Sequence, residues 1–202
     1  QYQGVLLGML AVGVAGSAAS AYTLNFTALS TADLSAETPM ANPLADAGSI
    51  TGTVLQNVTG NQISGGLIAR TPWEGSTNEA TGEYTSVQAN SSATWTFDST
   101  MASLDLIWGS PDDYNDLTIT FSGGGFSETI NGVDVQGPVA ILASAVSITD
   151  VFFETLTIES GANAFEFANV SVAPVPLPAA GWMLLAGLGG LGAVARRRRK
   201  AA

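Results

Sequence analysis

The chain has no cysteine and no histidine in its 202 residues. Without Cys there is neither a disulfide framework nor a thiolate metal site, and redox chemistry does not fix the compartment. Without His the side chain most used as a general base near neutral pH is missing. Ser-His-Asp triads, Cys-His pairs and His-based zinc centres are therefore excluded. Basic residues are scarce too: six Lys and Arg stand against seventeen Asp and Glu. Five of the six are Arg196, Arg197, Arg198, Arg199 and Lys200, so Arg70 is the one base elsewhere. The chain ahead of that cluster carries −16, one base against seventeen acids. Such a surface repels nucleic acid and anionic lipid, keeps a protein dispersed, and attracts divalent cations.

Long apolar runs are confined to the two ends. Val5 to Ala15, "VLLGMLAVGVA", is too short to span a bilayer and is followed by "GSAASA". Ala19-Ser20-Ala21 has the small-x-small form that signal peptidase needs, which predicts a signal peptide over 1–21 and a mature start at Tyr22. No Met or basic residue precedes the run, so a start slightly upstream is expected. At the other end, Ala179 to Ala195 is uncharged and contains five Gly. As a helix these residues reach roughly 25 Å, slightly short of a ~30 Å hydrocarbon core, so a weak, marginally inserted transmembrane helix is expected. Arg196 to Lys200 follow at once, a cluster that the positive-inside rule holds in the cytoplasm. Pro174, Pro176 and Pro178 precede the span and keep the approach extended.

An extended proline motif, a marginal span and a cationic stop suit a protein paused in the inner membrane and then cut free. The stretch "VPLPAAGWMLLAGLGGLGAVARRRRK" resembles the sorting signal of the PEP-CTERM class in its VPLPA variant. Val175, Pro176, Leu177, Pro178 and Ala179 match the recognition motif, Gly181 to Ala195 the span, and Arg196 to Lys200 the stop cluster. The resemblance implies processing by exosortase, a membrane-embedded cysteine transpeptidase. It also implies export from a Gram-negative bacterium and delivery to the cell surface or an exopolysaccharide matrix. The alternative is a single-pass anchor that is never cut.

Between the ends, residues 22–173 read as an all-β ectodomain, with 174–200 as the sorting signal. Short alternating or β-branched runs such as "ATWTF", "DLTITF" and "VFFETLTIES" are separated by turn clusters such as "SPDDYND", "INGVD" and "ESGAN". That spacing predicts a jelly-roll-like β-sandwich or a barrel. Leu117, Ile119 and Phe121 are expected on one face of their strand. In "NAFEFANVSV", Phe165, Phe167 and Val170 to Val172 predict a last strand on the core, with a register slip near Ala168 or Asn169. "GPVAILASAVSI" fits either a strand pair or a short helix, and Ser30 to Gly48 reads as a loop with one helical turn.

"DLIWGSPDDYNDLTITFSGG" resembles a stretch of exosortase-dependent surface proteins of the Npun-type family, carried by Trp108, Gly109, Ser110, Asp112 or Asp113, Tyr114 and Asn115. The resemblance implies fold and location, and no reaction. Where many of those proteins have Asp-Asn-Val, this chain has Ala168-Asn169-Val170.

Two sets of side chains are candidates for binding. Asp112, Asp113, Asn115 and Asp116, around Tyr114, are hard oxygen ligands of the kind Ca²⁺ prefers, in a spacing that is not an EF-hand. The same residues fit a Pro-Asp turn in which Asp side chains cap backbone N–H groups. Trp73, in the loop "RTPWEG", is expected to be exposed and, with Tyr114, to offer flat faces to sugar rings. Trp95 and Trp108 are expected in the core. No spacing among the seventeen acids singles out a catalytic pair, and the body is expected to be a structural or binding module rather than an enzyme.

Overall fold

A computed structural model describes residues 22–40, 48–121, 127–136 and 142–175. Eleven strands and two short helices follow one another along these residues. They are β1 (Thr23–Leu29), α1 (Thr31–Ala36), β2 (Ser49–Thr51), β3 (Val54–Thr59), β4 (Gln62–Ser64), β5 (Leu67–Ala69) and β6 (Glu83–Val87). The rest are β7 (Ser91–Gly109), β8 (Asn115–Phe121), β9 (Ser127–Asn131), α2 (Gly132–Gln136), β10 (Ala143–Ser160) and β11 (Phe165–Pro174). The all-β expectation holds. Among the described residues no helix is long and apolar enough to cross a membrane. The signal segment 1–21 with Ala19 and Ala21, Pro176 to Ala179, the span 179–195 and the basic cluster lie outside the described residues.

Two strands organise the molecule. β7 and β10, 19 and 18 residues long, are each too long for one flat layer and pair antiparallel along most of their length. Their register breaks between Thr149 and Phe153 and again before Thr155, where Asp150 adopts a φ of 60°. On one side of this break β1, β10, β7, β11, β6 and β3 are neighbours, and on the other β2, β7, β10, β8 and β9. Both halves send side chains into one apolar cluster. Leu24, Leu104, Trp108, Ile148, Phe165 and Phe167 come from the first, and Trp95, Leu117, Ile119, Ile130, Leu156 and Ile158 from the second. Edge-to-face contact of Trp95 with Phe167, at 5.8 Å between ring centroids, ties the halves together. Tyr22 bridges them at the margin by donating its hydroxyl to Glu128 of β9, 3.2 Å away.

Alternation explains most of this burial. Ala93 and Trp95 point inward with Thr94 and Thr96 opposite, and Leu117 and Ile119 point inward with Thr118 opposite. The ambiguous "GPVAILASAVSI" is strand from Ala143 onward, and its 137–141 lie outside the described residues. In the expected loop after Ser30, the helical turn is α1. Ser30 caps it by accepting from the Asp33 N–H, while the Asp33 carboxylate accepts from the Ser30 N–H. Leu34 anchors it from inside, fully buried.

A second, smaller cluster lies on the outer face of the first half: Leu34, Ala69, Trp73, Tyr84, Ile107, Ala143 and Ala168. The segment from β4 to residue 82, together with α1, covers that face. A strand face that alternation alone would leave wet is therefore dry.

Candidate functional site

Trp73 is the first correction. Expected to be exposed and available for sugar stacking, it has no exposed surface at all. Its ring is the centre of the covering segment, and its indole N–H points to the carbonyl of Glu83 at 3.4 Å. Gly82 lies so close that a Cβ there would overlap the indole Cδ1 and Nε1. An aromatic ring in a Gly- and Thr-rich loop is the largest apolar body with which that loop can seal the sheet, which is why it turns inward. Tyr114 is half-buried and donates its hydroxyl to the Asp112 carboxylate at 2.6 Å. Burial, then that bond, push its phenol pKa up. With Trp73 buried, the pair forms no shared platform.

The acidic turn is the second candidate. Asp112, Asp113, Asn115 and Asp116 do not converge. Asn115 is fully buried, its Oδ1 accepting from Ser160 Oγ at 2.9 Å. Asp116 Oδ1 accepts from Asn131 Nδ2 at 2.9 Å, and the same amide donates to the Asp113 carbonyl at 2.8 Å. The Asp112, Asn115 and Asp116 side chains serve Tyr114, Ser160 and Asn131 respectively, and among the described residues no group of three or more acidic, His or Cys side chains is placed to hold a metal. The residues do form a turn, closed by the Asn115 N–H on the Asp112 carbonyl at 3.1 Å, but the Asp112 and Asp116 carboxylates accept from side chains, those of Tyr114 and Asn131, rather than capping backbone N–H groups.

One buried group escaped the sequence reading. Glu166 lies between Phe165 and Phe167 on β11, pointing to the outer face, and is 3% exposed beneath the covering segment. Its Oε1 accepts the Arg70 N–H at 3.0 Å. Burial pushes its pKa up to about 9, against the opposing pull of hydrogen bonds from the Arg70 and Glu166 backbone, so the group is a neutral acid at pH 7.

Next to this covered patch the same sheet face stays open as a groove of about 290 Å³. Its floor is a transverse row set by register. Asn25 of β1 faces Ser147 of β10, Ser147 faces Asp105 of β7, and Asp105 faces Ser171 of β11. Four strands at ~4.8 Å spacing make the row roughly 14 Å long. Glu37 and Met40 form a wall. Asn169 fixes that wall: its Oδ1 accepts the Met40 N–H at 2.7 Å and its Nδ2 donates to the Thr38 carbonyl at 3.1 Å. Asn169 sits in the expected register slip, which falls between Ala168 and Ser171, and holds a left-handed φ of 48°. Asn tolerates that conformation better than most residues.

The ends of the body lie together. Thr23 pairs with Thr149, Thr149 with Ser103, and Ser103 with Ala173, so β1 begins and β11 ends at the same rim, beside the break in β7 and β10. Val175, the first residue of the expected motif, still belongs to the fold through its N–H, bound to the Thr100 carbonyl at 3.0 Å. Residues 174–200 match the family described as the PEP-CTERM protein-sorting motif. The chain carries a PEP-CTERM sorting signal.

That signal marks the chain as an exported protein targeted to exosortase and displayed at the cell surface. No curated protein and no solved structure matches the chain. The PEP-CTERM signal follows the last strand without a linker: the match begins at Pro174, which still pairs with Met101 of β7.

Proposed function

We propose that this PEP-CTERM protein is a matrix component whose body, a β-sandwich, holds extracellular polysaccharide in the groove over β1, β10, β7 and β11. After removal of a signal peptide ending at Ala21, the apolar segment 179–195 and the basic cluster pause the chain in the inner membrane. Exosortase then cuts near Val175 to Ala179 and releases the body to the surface. The row Asn25, Ser147, Asp105 and Ser171 carries the binding half of this reading. It offers an amide, two hydroxyls and a carboxylate along one line, and such donors and acceptors match the hydroxyls of a sugar chain. A small, open groove with one polar row along its floor fixes orientation more than it buries surface, so the expected affinity is modest.

In this reading the body is a binding and display module, not an enzyme, and it needs neither Ca²⁺ nor another cofactor. Among the described residues the one deeply buried carboxyl, Glu166, is a backbone acceptor. Two measurements test the proposal. Mass spectrometry of the surface-derived protein, with and without exosortase, is expected to show loss of Arg196 to Lys200 only when the enzyme is present; retained arginines would make the chain a plain anchored protein. Binding to the organism's exopolysaccharide is expected to disappear in Ser147→Tyr, which fills the groove floor. Unchanged binding would remove the groove from the account.

A further inference from the structure

We propose that Ser171–Val175 is a latch that ties the first residue of the sorting motif to the folded body, and that the processing enzyme acts only after this segment has peeled from β7. The inference rests on exosortase processing but concerns what the body does to it. Up to Phe167, β11 is paired on both sides, with β6 and with β7. Past the slip at Asn169 it pairs with β7 alone, and from Ser171 to Pro174 its side chains are exposed or half-exposed. The register shifts again between Ala173 and Pro174, and Pro174 has no N–H to give the ladder. Val175 then closes the segment with its bond to Thr100. The rim below is braced independently, since Thr100 Oγ1 donates to Glu154 Oε1 at 3.0 Å.

In this strand end only Val172 packs against the main cluster, half-buried, and the hydrogen bonds are one-sided, the kind of element that opens locally while the core stays closed. The slip at Asn169 sets where peeling stops, because Val170 on its far side is buried in the main cluster. With the latch closed, the motif has no spacer between itself and the body. With it open, five extended residues add roughly 17 Å of reach. A membrane-embedded enzyme must draw the motif into its own site as extended chain. The folded body obstructs that step until the latch releases.

The test uses the full chain co-expressed with exosortase and reads the fraction cut over time. A short Gly/Ser insertion between Pro174 and Val175 supplies the reach without opening. It is expected to raise the initial rate about tenfold, as removal of a pre-equilibrium to a minor state does. Joining the cross-strand partners by Ser103→Cys with Ala173→Cys is expected to lower the rate by at least as much, with closure of the bridge read by thiol labelling. Adding the insertion to the bridged chain is expected to restore cutting, which a misfolded body would not. An insertion without effect would overturn the latch. Amide hydrogen exchange reads it without the enzyme: Ser171, Ala173 and Val175 are expected to exchange together and faster than Phe167, and protection of Val175 equal to that of Phe167 would overturn it. If no variant is cut, wild type included, the processing reading fails, and the exchange measurement still decides the latch.

Discussion

Replacing Glu166 by Gln keeps the shape of the buried side chain and its capacity to accept the Arg70 N–H, but removes the proton that the native group must hold. Glu166 is 3% exposed and its pKa is pushed up to about 9 by burial, from an ordinary value of 4.5. In the unfolded chain the group is exposed and ionises near that ordinary value. Between the two pKa values the folded state holds one proton more than the unfolded state, so stability falls as pH rises. The contribution is fully present below pH 4.5 and is lost progressively up to about pH 9. Each pH unit inside the window corresponds to ~1.4 kcal/mol. Going from pH 5 to pH 7 therefore costs the wild type about 3 kcal/mol that Glu166→Gln does not lose.

The nearest charges do not reverse this sign. Asp112 pushes the pKa further up, and Arg70, whose backbone already serves Glu166, opposes it more weakly than burial raises it. The acidic body also loses stability with rising pH through self-repulsion, but that term is nearly common to both proteins and cancels in the difference. Urea unfolding of wild type and variant at pH 5, 6, 7 and 8 reads that difference directly. The variant is expected to gain on the wild type with pH, by about 3 kcal/mol over the first two units. Parallel pH profiles would refute the buried neutral acid.

Three further outcomes follow from the packing. Gly82→Ala drives a methyl into the Trp73 ring and is expected to cost about 1–3 kcal/mol and alter the near-ultraviolet circular dichroism of the tryptophans. Asn169→Ala loses both bonds to Thr38 and Met40 and is strained at positive φ; Asn169→Gly loses the bonds alone and is expected to be about 1 kcal/mol the more stable of the two in denaturant titrations. Trp108 stacks on Phe165 at 4.1 Å with its buried Nε1 unbonded, so Trp108→Phe, which discards that N–H and keeps an aromatic ring there, is expected to cost clearly less than the about 3–5 kcal/mol of Trp108→Ala.

How far the sequence carries the fold depends on the range of the interaction that decides each feature. Strand alternation is local, so Ala93 and Trp95, Leu117 and Ile119, and Phe165 and Phe167 were readable as core, and even the slip at Asn169 showed as a break in that alternation. The sorting signal is local as well, a string of motif, span and charge that needs no partner. Trp73 and Glu166 mislead for a common reason. Each is assigned to the surface by its immediate neighbours, a Pro-Trp-Glu loop in one case and the polar beat of a strand in the other. Each is buried because the other's segment lies on it, through the contact of Arg70 with Glu166 at a separation of 96 residues. The groove is less legible still, since Asn25, Asp105, Ser147 and Ser171 become one row only when three strand registers are fixed together. A one-residue shift in any of them would turn that strand's polar residue toward the core. The apolar cluster that fixes those registers on the inner face therefore also assembles the polar row on the outer face, and a substitution that slips β1, β10, β7 or β11 should erase the groove before it unfolds the body.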